Sequence, residues 1–158
     1  MTRSMDVALT INGEERMLRI EPFETLLTSL RDRLHLTAAK RGCNQGVCGA
    51  CSVLIAGEPA RACLSLTANC VDHDITTVEG LSIPLALSPL QAALVRAGAI
   101  QCGFCTPGML ITLTALLKER PQPTRQEIRL AVSSNLCRCT GYQKIVEAVV
   151  EMVGGGAA

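Results

Sequence analysis

Nine cysteines in a chain of 158 residues fall into two sets of four with one left over, and the two sets use different spacings in different halves. The first is Cys43-x4-Cys48-x2-Cys51 followed, after a short insertion, by Cys63; the second is Cys102-x2-Cys105, a long gap, then Cys137-x-Cys139. Cys70 belongs to neither. Four thiolates hold a tetrahedral zinc or an iron–sulfur cluster, so the fold must bring each set together, a stronger constraint than any composition figure. The start, Met1–Thr10, has neither a basic region followed by an apolar run nor a twin-arginine pair, which predicts a mature cytoplasmic protein. In that reducing compartment cysteines serve as ligands rather than disulfides.

Two sites predict two small domains, residues 1–80 and 81–158, each near the size at which a metal site adds needed stability. Net charge is +1 with acids and bases interspersed, so no long-range field gathers nucleic acid or anionic lipid, and neither is expected as a partner. Hydrophobic residues make up 48% against 18% charged, which is apolar for a small chain covering its own surface and predicts a subunit with a buried interface. Residues 97–117 carry no charge and are long enough to span a bilayer. Gln101, Gly103, Pro107, Gly108 and two cysteines interrupt them, so no membrane insertion is expected.

Val7, Leu9 and Ile11 alternate, Asn12-Gly13 is a tight-turn dipeptide, and Leu18 and Ile20 resume the alternation, together an opening hairpin. After Pro22, Leu26, Leu27, Leu30 and Leu34 mark one helix face ending near His35. The cysteine loop Gly42–Cys51 follows, then a strand at Ser52–Ile55, a Gly57-Glu58 turn, a return strand reaching Cys63, and a last strand at Ile75–Val78. This half reads as α+β. Gly80–Leu87 is the connector. Beyond it Ser88-Pro89-Leu90-Gln91 and Thr124-Arg125-Gln126-Glu127 are capping boxes, Thr106-Pro107 is a cap-then-proline start, and a last helix opens near Gly141. Four short helices form a bundle, with Gly154–Ala158 a frayed tail.

The opening C-x4-C-x2-C has the spacing of plant-type [2Fe–2S] ferredoxins, and a core bound by four thiolates is anionic. Gly42, Gly46 and Gly49 let backbone approach such a core and aim amides at sulfur, with Arg41 adding charge next door; each glycine also reads simply as a turn. In the second set both cysteine pairs precede helix starts, where the helix dipole favours thiolate, and Arg138 supplies one charge. A redox pair at Cys102-x2-Cys105 would need a βαβ setting, which the helical pattern does not provide. Zinc remains the alternative for either set, although the x4 spacing fits two C-x2-C knuckles poorly. His35 and His73 sit in no Rieske-type motif, and Cys70 reads as a small buried hydrophobe. A free-standing ferredoxin and a structural zinc module are the competing functional readings.

Three stretches carry a resemblance: Gly42-Cys43-x-x-Gly46-x-Cys48-Gly49-Ala50-Cys51, Gln101-Cys102-Gly103-Phe104-Cys105-Thr106-Pro107-Gly108-Met109, and Asn135-Leu136-Cys137-Arg138-Cys139-Thr140-Gly141-Tyr142. Across residues 5–152 the chain resembles the small iron–sulfur subunit of the molybdenum hydroxylases, the xanthine dehydrogenase and aldehyde oxidoreductase family. The resemblance implies a β-grasp plant-type ferredoxin domain followed by a four-helix domain, each carrying one [2Fe–2S] cluster. It assigns Cys43, Cys48, Cys51 and Cys63 to an outer cluster and Cys102, Cys105, Cys137 and Cys139 to the cluster nearest a molybdopterin cofactor, which a large partner subunit holds and which Gln101 and Cys139 contact. It implies non-catalytic electron transfer from that centre to an FAD-binding subunit, a cytochrome or another acceptor. Ser88, where relatives often carry histidine, and Cys70 depart from the pattern without touching the ligands.

Overall fold

A computed structural model describes residues 4–82 and 86–155. Part of the expected connector, the first three residues and the end of the expected tail lie outside those residues. Strands β1 (Met5–Ile11) and β2 (Glu14–Ile20) pair antiparallel, with Met5 opposite Ile20 and Ile11 opposite Glu14. Asn12 and Gly13 have φ of 53° and 80°, the mirror-image turn that an Asn-Gly dipeptide favours. Asn12 also accepts the Thr77 amide at 2.9 Å and donates to the Thr77 hydroxyl at 3.0 Å, tying the hairpin turn to the segment that follows residue 76.

Strands β3 (Ser52–Ile55) and β4 (Glu58–Arg61) form a second hairpin, turning at Ala56-Gly57 with φ of 52° and 85°. The turn is one residue earlier than expected because Glu58 already pairs with Ile55. β5 (Asp74–Thr76) runs parallel to β1 and antiparallel to β3, giving the order β2-β1-β5-β3-β4. It stops before the expected Val78, which opens a 3-10 turn and packs against the second core.

The expected first helix is α1 (Leu26–Thr28) running on into a π-helical turn, Ser29–Arg33, and His35 closes it at φ 57°. Leu26, Leu27 and Leu30 are fully buried against the sheet. The Glu24 carboxylate holds this segment from before its start, accepting from the Ser29 hydroxyl at 2.6 Å and from Arg33 Nε at 2.6 Å.

Four helices follow: α2 (Pro89–Arg96), α3 (Thr106–Glu119), α4 (Arg125–Ser133) and α5 (Gln143–Gly154). Both expected capping boxes form at Ser88/Gln91 and Thr124/Glu127. At α3 the expectation needs correction, since Thr106 is already helical and Cys105 takes the preceding position without a side-chain cap. α5 starts later than Gly141 because Gly141 and Tyr142 hold left-handed φ of 61° and 68°. Ile128, Val132, Ile145, Val146 and Val149 bury with Met109 and Leu113 in a core separate from that of the sheet. α3 also packs on β3 and β4, so it joins the halves. Residues 97–117 split between a loop and α3, and among the described residues no helix is long and apolar enough to cross a membrane.

Candidate metal centres

The β3–β4 hairpin places its own ends together, and with them Cys51 just before β3 and Cys63 just after β4. Both are buried. Burial, reinforced by the charges of Cys63 and Cys48, pushes Cys51 up to about 11. Cys43 behaves oppositely. The Cys48 amide at 3.4 Å and the Gln45 amide at 3.3 Å donate to its sulfur and bring it down to about 6. One loop therefore offers a ready thiolate at Cys43, while burial keeps Cys51 protonated until a cationic metal compensates it.

The amides aimed at sulfur come from Gln45 and Cys48 rather than from the glycines. Gly42 matters through its missing side chain, since a Cβ there would stand 2.8 Å from Cys48 Sγ. Arg41 is turned to Asp32 at 3.2 Å, and Arg61 is the cation bonded into this loop.

In the second set Cys105 sits at the start of α3, while Cys139 lies farther from its helix, beyond Thr140, Gly141 and Tyr142. The helix end does not lower Cys105; burial dominates and pushes it up to about 12. Burial alone would raise Cys137 as well, but hydrogen bonds from Thr140 and the Cys139 amide outweigh it and lower the thiol. Cys139 Sγ lies 3.6 Å from Cys102 Sγ, and that contact raises Cys139. The Cys137 amide donates to the Tyr142 hydroxyl at 2.8 Å, a contact made by the left-handed tyrosine that immediately precedes α5. Gln101 Nε2 donates to the Cys139 carbonyl at 3.1 Å, so the two expected cofactor-contacting residues are neighbours, both exposed.

Among the described residues no three His, Cys, Asp or Glu side chains converge on a single-ion site. The thiols instead come as pairs: Cys43 with Cys48, Cys51 with Cys63, Cys102 with Cys139, Cys105 with Cys137. Two irons sharing four thiolates need such an arrangement, and the donor chemistry of both sets fits it. Cys70 is buried in the sheet core and donates to the Leu66 carbonyl at 3.3 Å; His35 and His73 are exposed.

Sequence reasoning missed the seam between the halves. Asn135 is completely buried and donates to Thr112 Oγ1 of α3 at 2.7 Å, while the next amide, Leu136, donates to the Cys48 carbonyl at 2.8 Å. Asn135 had signalled itself only as part of a motif, and Arg61 had no signal at all.

Residues 11–96 match the family model described as 2Fe-2S iron-sulfur cluster binding domain, and residues 77–150 the one described as [2Fe-2S] binding domain. The nicotine 6-hydroxylase small subunit of Paenarthrobacter nicotinovorans is 49% identical over 95% of this chain and 90% of its own length. The aldehyde oxidoreductase iron-sulfur-binding subunit of Escherichia coli strain K12 is 39% identical over 95% of this chain and 72% of its own length. The chain belongs to the small iron–sulfur subunits of the molybdenum hydroxylases. A solved member of this family, quinoline 2-oxidoreductase from Pseudomonas putida 86, superimposes with a TM-score of 0.93 at 46% identity, covering 97% of this chain and 95% of the matched one. The aldehyde oxidoreductase of Desulfovibrio desulfuricans superimposes at 0.90 with 41% identity, covering 94% of this chain but 17% of that one, where the same unit is part of a much longer polypeptide.

Proposed function

We propose that this chain is the electron-carrying small subunit of a molybdenum hydroxylase and holds two [2Fe–2S] clusters, one on Cys43, Cys48, Cys51 and Cys63 and one on Cys102, Cys105, Cys137 and Cys139. A [2Fe–2S] core, when bound, takes up and releases an electron. The chain's own residues hold the thiolates, supply amides to Cys43, shield Cys51 and Cys105 from water, and fix the two sets relative to each other. A β-grasp ferredoxin domain over residues 1–80 and a four-helix domain over residues 81–158 are the division we favour, supported by the two separate cores. Val78 already packs on the helical core, so the change-over is gradual.

One observation carries the reading. Two four-thiol sets stand on one chain with a direct main-chain hydrogen bond, Leu136 to Cys48, between segments that bear a ligand from each. A structural zinc module has no use for that link. Gln101 and Cys139, exposed side by side, are the proposed contact with a molybdopterin cofactor held by a large partner subunit, and the length of the Desulfovibrio relative supports such a partner. The outer set would pass electrons to an FAD-binding subunit or a cytochrome in a cytoplasmic complex.

Iron and acid-labile sulfide analysis is expected to find two [2Fe–2S] centres per chain, and a colourless protein holding only zinc sinks the proposal. Purification from the native host at high salt is expected to bring a large molybdenum subunit along; elution alone would favour a free-standing ferredoxin.

A further inference from the structure

Arg61, the last residue of β4, has neither an exposed nor an ordinary role. Its guanidinium spans three neutral oxygens: Nε donates to the Gly46 carbonyl at 3.3 Å, Nη1 to the Ser52 hydroxyl, and Nη2 to the Ser134 carbonyl at 2.6 Å. Gly46 lies inside the first thiol loop, Ser52 directly follows Cys51 and pairs with Arg61 across the hairpin, and Ser134 leads through Asn135 and Leu136 to Cys137. One side chain thus fastens both halves. Among the described residues no carboxylate pairs with it, so its charge faces only backbone and hydroxyl dipoles. A cation without a carboxylate, bonded into the first thiol loop through Gly46 and next to Cys51 through Ser52, would find its counter-charge in an anionic centre held there.

We propose that Arg61 is a positioning residue: its fork holds the two thiol sets in register across the Leu136–Cys48 hydrogen bond, and its charge favours the reduced form of the outer centre. The inference rests on the two-cluster reading above. Fork and charge separate experimentally, because lysine keeps the charge but presents one point rather than a planar fork and cannot span three acceptors. The alternative, a merely structural surface arginine, predicts a fall in overall stability and nothing more.

The test uses the assembled complex with wild-type chain, Arg61→Lys and Arg61→Gln, the arm on charge being a spectroscopic redox titration that resolves the two centres. Arg61→Gln is expected to lower the reduced-to-oxidised ratio of the outer centre about tenfold at fixed applied potential, the equivalent of about 59 mV for a one-electron couple. Arg61→Lys and the inner centre are expected to stay near wild type. The arm on the fork is amide hydrogen exchange at Leu136, expected to quicken in both variants while the β1–β2 hairpin keeps its protection; that hairpin also reports whether each variant is folded. An outer-centre titration unchanged in Arg61→Gln, or Leu136 exchange unchanged in both variants, overturns the proposal. Absence of two-iron centres from the wild-type chain would instead overturn the functional reading, and the exchange arm would still judge the clamp.

Discussion

Gly108 occupies the first turn of α3, where intrinsic helix preference would gain about 1 kcal/mol from alanine. The tertiary structure reverses that sign. A Cβ on Gly108 would overlap the Gly49 carbonyl oxygen and lie 2.7 Å from Asn135 Oδ1, and neither neighbour can retreat without parting the seam. Gly108→Ala is therefore expected to destabilise by about 1 to 3 kcal/mol, read as a lower denaturant midpoint; a raised midpoint would mean the seam yields freely. Asn135 is the companion case, fully buried with its amide on Thr112. Asn135→Ala strands the Thr112 hydroxyl and removes the wedge between the halves, at an expected cost of about 1 to 3 kcal/mol by the same measurement.

Among the elements, the caps are local devices and carry local predictions. Ser88→Ala and Thr124→Ala each remove a side-chain acceptor from a first helical turn and are each expected to lower stability by about 1 kcal/mol. A double variant should add the two, because the caps sit on different helices. The α1 segment depends instead on Glu24, whose carboxyl Arg33 above all, helped by Ser29, holds below its ordinary 4.5. A lowered folded value contributes stability that is complete above 4.5 and is lost as pH falls through the folded value. Thermal denaturation between neutral and acid pH should show this acid-side loss, and Glu24→Gln should remove that part of the slope while costing about 1 kcal/mol at neutral pH, since Arg33 is partly open to solvent screening. An unchanged acid slope would show that other carboxylates account for it.

At the scale of the whole molecule two small cores share one seam, where α3 packs on β3 and β4 and the Leu136 amide bonds the Cys48 carbonyl. Neither core is large enough to be indifferent to a bound metal. Removing iron with a chelator is expected to speed amide exchange through residues 42–51 and 134–140 while β1 and β2, paired over their whole length, stay protected. Uniform loss of protection would instead mean that the clusters support the whole fold as one unit.

The sequence by itself determined the parts whose causes are local: the Asn12-Gly13 turn, the alternation of β1 and the two capping boxes. Each rests on dihedral preferences or hydrogen bonds within a few residues. It misplaced the starts of α3 and α5, because the burial of Cys105 is a tertiary effect and the Tyr142 hydroxyl reaching back to the Cys137 amide is a side-chain contact that no propensity or cap pattern encodes. Only the tertiary structure decided how the thiols pair, that Gly49 and Gly108 meet, and that Arg61 joins the two sets, since those contacts bring together residues far apart in the chain and leave no period or spacing to read.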